Sequence, residues 1–229
     1  MFQFDRLVYA TNQPDQVDLQ IRTKRGLTLT ASGHSFPGVA TRIYPFAGGG
    51  FLEVAFIENA VEANKTNEGQ AMAELLKEQG DSFTAMVLET DDLDRVKRIL
   101  EEEKYPVTVT PVQHMTDASG NPFQFQMLGT YPHLPWFVMY DKPRDTPRGY
   151  PQAAVLRTTT FTADLEILEK IMGVPATTIQ YPNTTAAMLP LYNASLRIES
   201  AEQYGFSYFD PAGMLLDKPL EDEANQQLH

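Results

Sequence analysis

The chain has 229 residues, of which 42% are hydrophobic and 21% charged, a balance typical of a folded globular protein. It contains no cysteine, so disulfides, thiolate nucleophiles and cysteine-based zinc sites are excluded. The net charge of −12 disfavours nucleic acid and anionic membranes as partners. Because we find neither a signal peptide nor a run of about 18 apolar residues, we expect a cytoplasmic protein.

The first elements are predicted from local patterns. Residues 2–11 alternate in polarity as a strand does, and NQPDQVDLQIRTKRG, with an early proline and a final glycine, predicts a short helix. The segment SGHSFPG predicts a loop. The strands ATRIYPF and FLEVAFI, joined by AGGG, predict a hairpin. A helix that ends at Gly80 follows in EGQAMAELLKEQG.

The clearest unit is SFTAMVLETDDLDRVKRILEEEKYPV, which predicts a strand through Leu88, an acidic cap at Asp91 and Asp92, and an amphipathic helix. The strands TVTPVQHM, PFQFQML and PWFVMYD and a proline-rich linker come next. The strand and helix then recur as QAAVLRTTTF and TADLEILEKIMG, which we interpret as an internal repeat. Two further strands are predicted in AAMLPLYNASLRIES and YGFSYFD. Such units exclude a simple βαβα parallel sheet.

Four phrases carry a resemblance to a known family: FDRLVYAT at the start, FLEV at 51–54, LETDDLD at 88–94 and LPWFVMYDKPR at 134–144. They resemble the vicinal oxygen chelate superfamily, in particular its bacterial glyoxalase-like domain branch. The resemblance implies an α+β fold in which paired βαβββ modules form a cupped mixed sheet with helices outside, and in which the cup holds the active site.

The expected domain organisation follows from this resemblance and from the repeat. Residues 1–145 would form the glyoxalase-like domain with its two modules, and 146–152 a linker. Residues 153–215 would form a partial third βα-type module packed on the first domain, and 216–229 a polar tail.

Metal-dependent members of the superfamily hold a divalent ion in the cup through four side chains. The resemblance places those four positions on Arg6, Glu53, Ala85 and Met139. A guanidinium has no lone pair to donate, alanine has no donor atom, and a thioether is a poor ligand for hard divalent ions. We therefore expect a degenerate metal site and no cofactor.

Glu53 is a carboxylate in an otherwise apolar strand, and its burial requires a partner. The two-residue period of a strand places Phe51 and Glu53 on one face, and Phe4, Arg6 and Val8 on one face of the first strand. If both faces line the cup, Arg6 and Glu53 form a bidentate pair. Arg6 then supplies the positive charge that a metal supplies in relatives, and Glu53 is the candidate general base.

Other candidate ligand-binding residues come from their predicted positions. His34 lies on a loop that is near the cavity mouth in the glyoxalase-like branch, Arg42 lies on the strand ATRIYPF as a candidate anion-binding residue, and His114 lies on a predicted strand. The predicted strand PWFVMYD, the last strand of the glyoxalase-like domain, offers Phe137, Met139 and Tyr140 as residues of a pocket wall. For each of these residues the alternative is an ordinary surface or core role.

Three hypotheses for function remain open. The first is a metal-independent glyoxalase-like protein that binds a small polar or anionic metabolite in the cup, with Arg6 and Glu53 as the central residues. The second is a non-catalytic module that only sequesters a ligand, as resistance proteins do. The third is a metal-dependent lyase, isomerase or dioxygenase with relocated ligands, such as His34 or His114 with Glu53. The partner is a small molecule in each case, and a homodimer is compatible with all three.

Overall fold

The computed structural model describes residues 1–116, 120–142, 151–180, 184–213 and 215–216. Most of the predicted linker and nearly all of the predicted tail lie outside these residues. The strands are, in chain order, β1 (Phe2–Ala10), β2 (Ala31–Phe36), β3 (Val39–Pro45), β4 (Phe51–Ile57), β5 (Ser82–Thr90), β6 (Thr108–Val109), β7 (Gln113–Thr116), β8 (Pro122–Gly129), β9 (Trp136–Tyr140), β10 (Ala153–Thr158), β11 (Thr177–Gln180), β12 (Thr185–Pro190), β13 (Ser195–Ser200), β14 (Gly205–Phe209) and β15 (Leu215–Leu216). The helices are α1 (Pro14–Arg25), α2 (Ala60–Ala63), α3 (Asn67–Gln79), α4 (Leu93–Glu102) and α5 (Phe161–Met172).

The first sheet contains β1 to β9 in the order β2-β3-β4-β1-β5-β9-β8-β6, with β7 paired to β8. Its central strand β1 runs parallel to β4 and antiparallel to β5. The sheet is open and strongly curled and its helices lie outside, which confirms the predicted α+β fold. None of the helices within the described ranges is long and apolar enough to cross a membrane.

The second sheet contains the remaining strands in the order β11-β12-β13-β10-β14-β15. Strand β10 is parallel to β13 and antiparallel to β14, which repeats the pairing of β1 with β4 and β5. Elements β10, α5, β11, β12 and β13 therefore make up a full βαβββ set, where the sequence predicts only a partial one. The difference arises because the sequence predicts no strand at β11, and because β12 and β13 are separate strands within what it predicts as one segment.

A continuous apolar core joins the two sheets, and β14 packs against β5 and β1. At its centre the ring of Tyr208 stacks on Phe4 and Phe46, with ring centroids 5.6 and 4.1 Å apart. The buried side chain of Asn193 accepts the N–H of Phe4 at 2.8 Å and donates to its carbonyl at 2.9 Å. The third segment is thus attached to the first sheet by both apolar and polar contacts.

Local signals place most helix ends correctly. Helix α1 ends at Gly26 and α3 at Gly80, and Asp92 caps α4 by accepting the N–H of Arg95 at 2.8 Å. The predicted loop SGHSFPG is wrong, because most of it forms the edge strand β2. The predicted strand TVTPVQHM is split into β6 and β7, with Pro111 between them.

The turn AGGG positions β4 beside β1. Gly49 and Gly50 adopt positive φ angles of 83° and 74°, a conformation that side chains with a Cβ rarely adopt. A Cβ on Gly50 would also lie 2.8 Å from the ring of Phe4. The glycines therefore make the tight hairpin that carries Glu53 into the sheet.

Candidate functional site

A β-bulge in β1 sets the direction of the central side chains. Phe4 pairs with Leu88 and Arg6 pairs with Val87, so Asp5 is one extra residue in β1. Because paired residues share a face, Phe4 points into the core with Leu88, while Arg6 points with Val87 to the opposite face, the cup face. The prediction that Phe4 and Arg6 share a face is therefore wrong, since it assumed an unbroken two-residue period.

The Arg6 guanidinium lies between two carboxylates. Its Nη1 donates to Oδ2 of Asp5 at 2.7 Å, and its Nε lies 2.9 Å from Oε2 of Glu53. The second contact is an ion pair without an aligned hydrogen bond, because Nε–H has no acceptor in line with it among the described residues. The predicted pairing of Arg6 with Glu53 is present. The guanidinium contacts Asp5 through Nη1 and Glu53 through Nε, so the pair with Glu53 is not the predicted bidentate one.

Burial and charge act in opposite directions on this guanidinium. The Arg6 side chain is 11% exposed and the Asp5 side chain is fully buried. Burial by itself would lower the pKa of Arg6, but the charges of Asp5 and Glu53 outweigh it and raise that pKa above its ordinary value. Arg6 is therefore a permanent cation inside the cup.

Glu53 is held by two neighbours. Its Oε2 faces Arg6, and its Oε1 accepts the hydroxyl of Ser35 at 2.9 Å. The side chain keeps 12% of its surface exposed. Since each carboxylate oxygen can accept two hydrogen bonds, Glu53 can accept a further donor.

The closing strand β9 contributes the phenol of Tyr140. Its hydroxyl donates to Oδ1 of Asp5 at 3.1 Å and lies 3.3 Å from Nη1 of Arg6. The sulfur of Met127 lies 3.3 Å from Nη2, and Arg6 lies over the ring of Phe51 at 5.6 Å. We call Asp5, Arg6, Glu53 and Tyr140 the Arg6 cluster. An apolar wall continues beside it, consisting of Val87, Phe125, Met127, Trp136 and Val138.

Two predicted ligand-binding residues lie on the wrong face of β9. Phe137 pairs with Leu88 and Leu128 and is 1% exposed within the core, and Met139 packs against the same core. The correction follows from the strand period: with Tyr140 on the cup face, Phe137 is on the opposite one and so is Met139. The metal position that the resemblance placed on Met139 therefore faces away from the cup.

Arg42 also faces away from the cup. It pairs with Val54, whose side chain is in the core, while its neighbour Ile43 pairs with Glu53. The guanidinium reaches the start of α1, where it donates to the carbonyl of Pro14 at 2.8 Å and to Asp15 at 2.7 Å. Arg42 thus connects the sheet to a helix, and the predicted role in binding an anion in the cup is wrong.

The two candidate histidines lie on exposed strands. His34 is 2.8 Å from Glu58, and both side chains are more than half exposed. His114 is exposed on β7, where it pairs with Gln124. A third histidine, His133, lies 3.3 Å from the buried Asp164 of α5 and stacks on Tyr204.

The Arg6 cluster does not fit the divalent ion of the metal-dependent relatives. The guanidinium takes the place of a cation beside Glu53 and Asp5, and the position predicted for a third ligand is Ala85, which pairs with Val8. Among the described residues, no group of three or more histidine and acidic side chains is arranged to hold a metal ion.

Sequence reasoning missed Asp5, Ser35 and Met127. Asp5 was missed because the bulge changes the direction of its side chain. The available sequence signal is the pair of adjacent charged residues in an apolar strand, since regular alternation cannot place both on one face. Ser35 was missed because its segment was predicted as a loop. Met127 reaches Arg6 only through the pairing of β8 with β9, which is a non-local contact.

Comparisons with known proteins agree with this architecture. Residues 4–170 match the glyoxalase-like domain family. A hypothetical protein from Staphylococcus aureus is similar in structure with a TM-score of 0.66 and 15% identity, over 92% of each chain. A mutant 4-hydroxymandelate synthase from Streptomyces coelicolor is similar with a TM-score of 0.58 and 12% identity, over 87% of this chain and 63% of that one.

At these identities the structural likeness shows the fold alone. No protein with a curated description matches the chain significantly. The family match, by contrast, spans most of the chain and includes β1, β4 and β9, which carry the Arg6 cluster. The chain belongs to the glyoxalase-like domain family of the vicinal oxygen chelate superfamily.

Proposed function

We propose that the cup of the first sheet binds a small polar metabolite at the Arg6 cluster, and that Glu53 accepts a proton or hydrogen bond from it. The observation that carries this proposal is the ion pair of Arg6 and Glu53, 2.9 Å apart and almost buried on the cup face. Enclosing charged groups is costly because they lose their hydration, and ionisable groups in such perturbed environments cluster at functional sites.

The charges of the cluster favour one class of ligand. Among the described residues it combines one guanidinium with the carboxylates of Asp5 and Glu53. A ligand with hydroxyl or amide donors can bind to Glu53 without displacing Arg6. An anion would have to compete with both carboxylates for the guanidinium, so we propose a polar ligand over an anionic one.

If the cup catalyses a reaction, Glu53 is the general base and Arg6 is the group that stabilises developing negative charge. The family metal would have no place in this scheme, because the guanidinium performs its electrostatic role. Turnover of a bound ligand distinguishes an enzyme from a protein that only sequesters it.

The test is a thermal-shift measurement of the wild type and three variants against a panel of small sugars, polyols, amides, carboxylates and phosphates. We expect a polar neutral compound to stabilise the wild type, and the shift to disappear in Glu53→Gln and Arg6→Met. Arg42→Met is the matched control. It removes a guanidinium from β3, the strand next to β4, on the opposite face of the sheet, and it should keep the shift.

Two results would contradict the proposal. One is an unchanged shift in both Glu53→Gln and Arg6→Met, which would place the ligand elsewhere. The other is a near-stoichiometric divalent metal in the purified protein that is lost in Glu53→Gln, which would favour relocated metal ligands.

A further inference from the structure

The second sheet has a face opposite the shared core, and this face carries partly exposed charged side chains. Alternation along β10 puts Ala154 and Leu156 in the core, so Ala153 and Val155 lie on the other face, which we call the open face. The parallel pairing of β10 with β13 sets Arg197 beside Val155 on that face.

Strands β1 and β10 can be aligned residue by residue, because the same turn follows each of them. Thr11 follows β1, and its hydroxyl oxygen accepts the N–H of Gln13 at 2.8 Å. Thr158 ends β10, and its hydroxyl oxygen accepts the N–H of Thr160 at 3.0 Å. Both threonines make the same turn into the helix that follows, and they therefore mark equivalent positions.

Counting back from these threonines identifies the counterpart of Glu53. Three residues before Thr11 is Val8, which pairs with Glu53. Three residues before Thr158 is Val155, which pairs with Arg197. Arg197 of the second sheet therefore occupies the position that Glu53 occupies in the first.

The same count identifies the counterpart of Arg6 as Ala153. In the first sheet the long side chain of Arg6 fills the space beside Glu53. In the second sheet the methyl group of Ala153 leaves that space open, and a shallow, solvent-open cavity of about 510 Å³ lies there with Ala153 and Arg197 in its lining. This volume is within the range of small-molecule sites.

The lining combines apolar walls with a guanidinium. Met188, Phe209 and Pro211 are among the apolar walls, and Ser195 and Asp210 are among the polar groups. The guanidinium carbon of Arg197 lies 5.9 Å from the ring centre of Phe209. A ligand in this cavity would thus meet both an aromatic surface and a cation.

Arg197 belongs to a charged row on the open face. Its Nε lies 2.6 Å from Oε1 of Glu199, and Nε of Arg157 lies 3.6 Å from the other oxygen of the same carboxylate. Among the described residues, the Glu199 carboxylate therefore lies beside two guanidinium groups. The Arg197 side chain keeps 26% of its surface exposed, more than twice the exposure of Arg6.

We propose that this cavity binds a small monocarboxylate with an apolar body, with the carboxylate at Arg197 and the body against Met188 and Phe209. A guanidinium recognises a carboxylate through parallel N–H groups, and the apolar walls contribute through burial. Asp210 at the end of β14 lines the same cavity and repels a second negative charge, so a monoanion is favoured over phosphate.

The experiment is isothermal titration of the full chain with benzoate and, separately, with inorganic phosphate. We expect benzoate to bind and phosphate to bind far more weakly or not at all. Arg197→Met should weaken benzoate binding roughly tenfold or more, because it removes a charged hydrogen-bonding partner. Ala153→Met should weaken it too, because the larger side chain fills the cavity while the guanidinium stays.

Glu53→Gln is the control that separates this site from the proposed site in the first cup, and it should leave benzoate binding unchanged. Three results would overturn the proposal: no benzoate binding to the wild type at millimolar concentration, equal binding of phosphate, or unchanged binding of benzoate in Ala153→Met. Loss of benzoate binding in Glu53→Gln would also overturn it, since the ligand would then lie in the first cup.

Discussion

The two sheets share one pairing scheme but differ in charge at matched positions. The first sheet carries Arg6 and Glu53 on its cup face, and the second carries Ala153 and Arg197 at the equivalent places. In the first, the cation is enclosed by carboxylates and its side chain is 11% exposed. In the second, the cation is 26% exposed beside a cavity.

The comparison shows that equivalent strand positions can enclose a cation in one unit and leave it partly accessible in the other. An enclosed ion pair has lost its hydration, so removing one partner leaves the other as an uncompensated buried charge. A partly exposed guanidinium keeps part of its hydration and can exchange it for a ligand. We therefore expect substitutions at Arg6 to act on folding as well as on binding, and substitutions at Arg197 to act mainly on binding.

The largest expected effect is that of Arg6→Met on the free energy of unfolding. The variant leaves Asp5 and Glu53 buried without their guanidinium, and we expect a loss of about 3–5 kcal/mol. Arg197→Met, at the more exposed site, should cost about 1 kcal/mol or less. Urea unfolding of both variants at neutral pH measures the difference.

A double variant makes this comparison sharper. Adding Glu53→Gln to Arg6→Met removes one of the two uncompensated charges, so the double variant should be more stable than Arg6→Met alone. Equal losses for Arg6→Met and Arg197→Met would show that enclosure does not distinguish the two sheets.

A smaller effect is expected where the two sheets meet. Asn193 hydrogen-bonds both the N–H and the carbonyl of Phe4. Asn193→Ala leaves two buried backbone groups without these partners, and we expect a loss of about 2–3 kcal/mol in the free energy of unfolding. The exposed Asn64 serves as the control, because Asn64→Ala leaves all side-chain contacts between the sheets in place. If the two variants are equally stable, the polar link contributes nothing to the attachment of the second sheet.

The sequence predicts the features that depend on local chemistry. Helix caps, the glycine turn and the strand–helix repeat are all set within a few residues, and the resemblance of FLEV and LETDDLD adds the pairing of the modules. The ion pair of Arg6 and Glu53 was also predictable, since both lie on strands that flank each other in such modules. The geometry of this ion pair was not predictable, because the bulge at Asp5 brings a second carboxylate to the same guanidinium.

The remaining errors concern which face of a strand is buried. Phe137 and Met139 were assigned to the cup, but their face is fixed by the pairing of β9 with β5, which is distant in sequence. Arg42 was assigned to an anion site, but its pairing with Val54 in the hairpin places it on the core face. A strand with apolar residues on both sides gives no local sign of which face meets the core. The cavity at Arg197 was missed for the same reason, since it depends on the pairing of β10 with β13.

The smallest expected effect concerns how each sheet holds its helix. Asp18 of α1 accepts the hydroxyl of Tyr44 at 2.8 Å and pairs with Arg22 at 2.7 Å. In the second sheet, Asp164 of α5 accepts the hydroxyls of Thr158 and Thr160 instead. A carboxylate therefore anchors the helix in both units, beside Arg22 in the first and beside His133 in the second.

This difference predicts a dependence on pH for the first anchor. Burial by itself would raise the pKa of Asp18, but hydrogen bonds from Tyr44 and Arg22 and the charge of Arg42 outweigh it and lower that pKa. A lowered carboxyl pKa stabilises the folded state above the unfolded value of about 4, and the stabilisation is lost as pH falls through that value and the folded-state one. Asp18→Asn should therefore cost about 1 kcal/mol or less near neutral pH, and the cost should vanish in acid.

Urea unfolding of the wild type and Asp18→Asn at a series of pH values from about 7 to about 3 measures this loss, because the unfolded-state pKa of about 4 lies inside that range. Tyr44→Phe is the matched variant: it removes one of the hydrogen bonds that lower the pKa of Asp18 but keeps the carboxylate, so part of the pH dependence should persist. A difference between wild type and Asp18→Asn that stays constant over the whole range would show that the anchor works by shape and hydrogen bonding alone. Charge would then distinguish the two sheets at Arg6 and Arg197, but not at their helices.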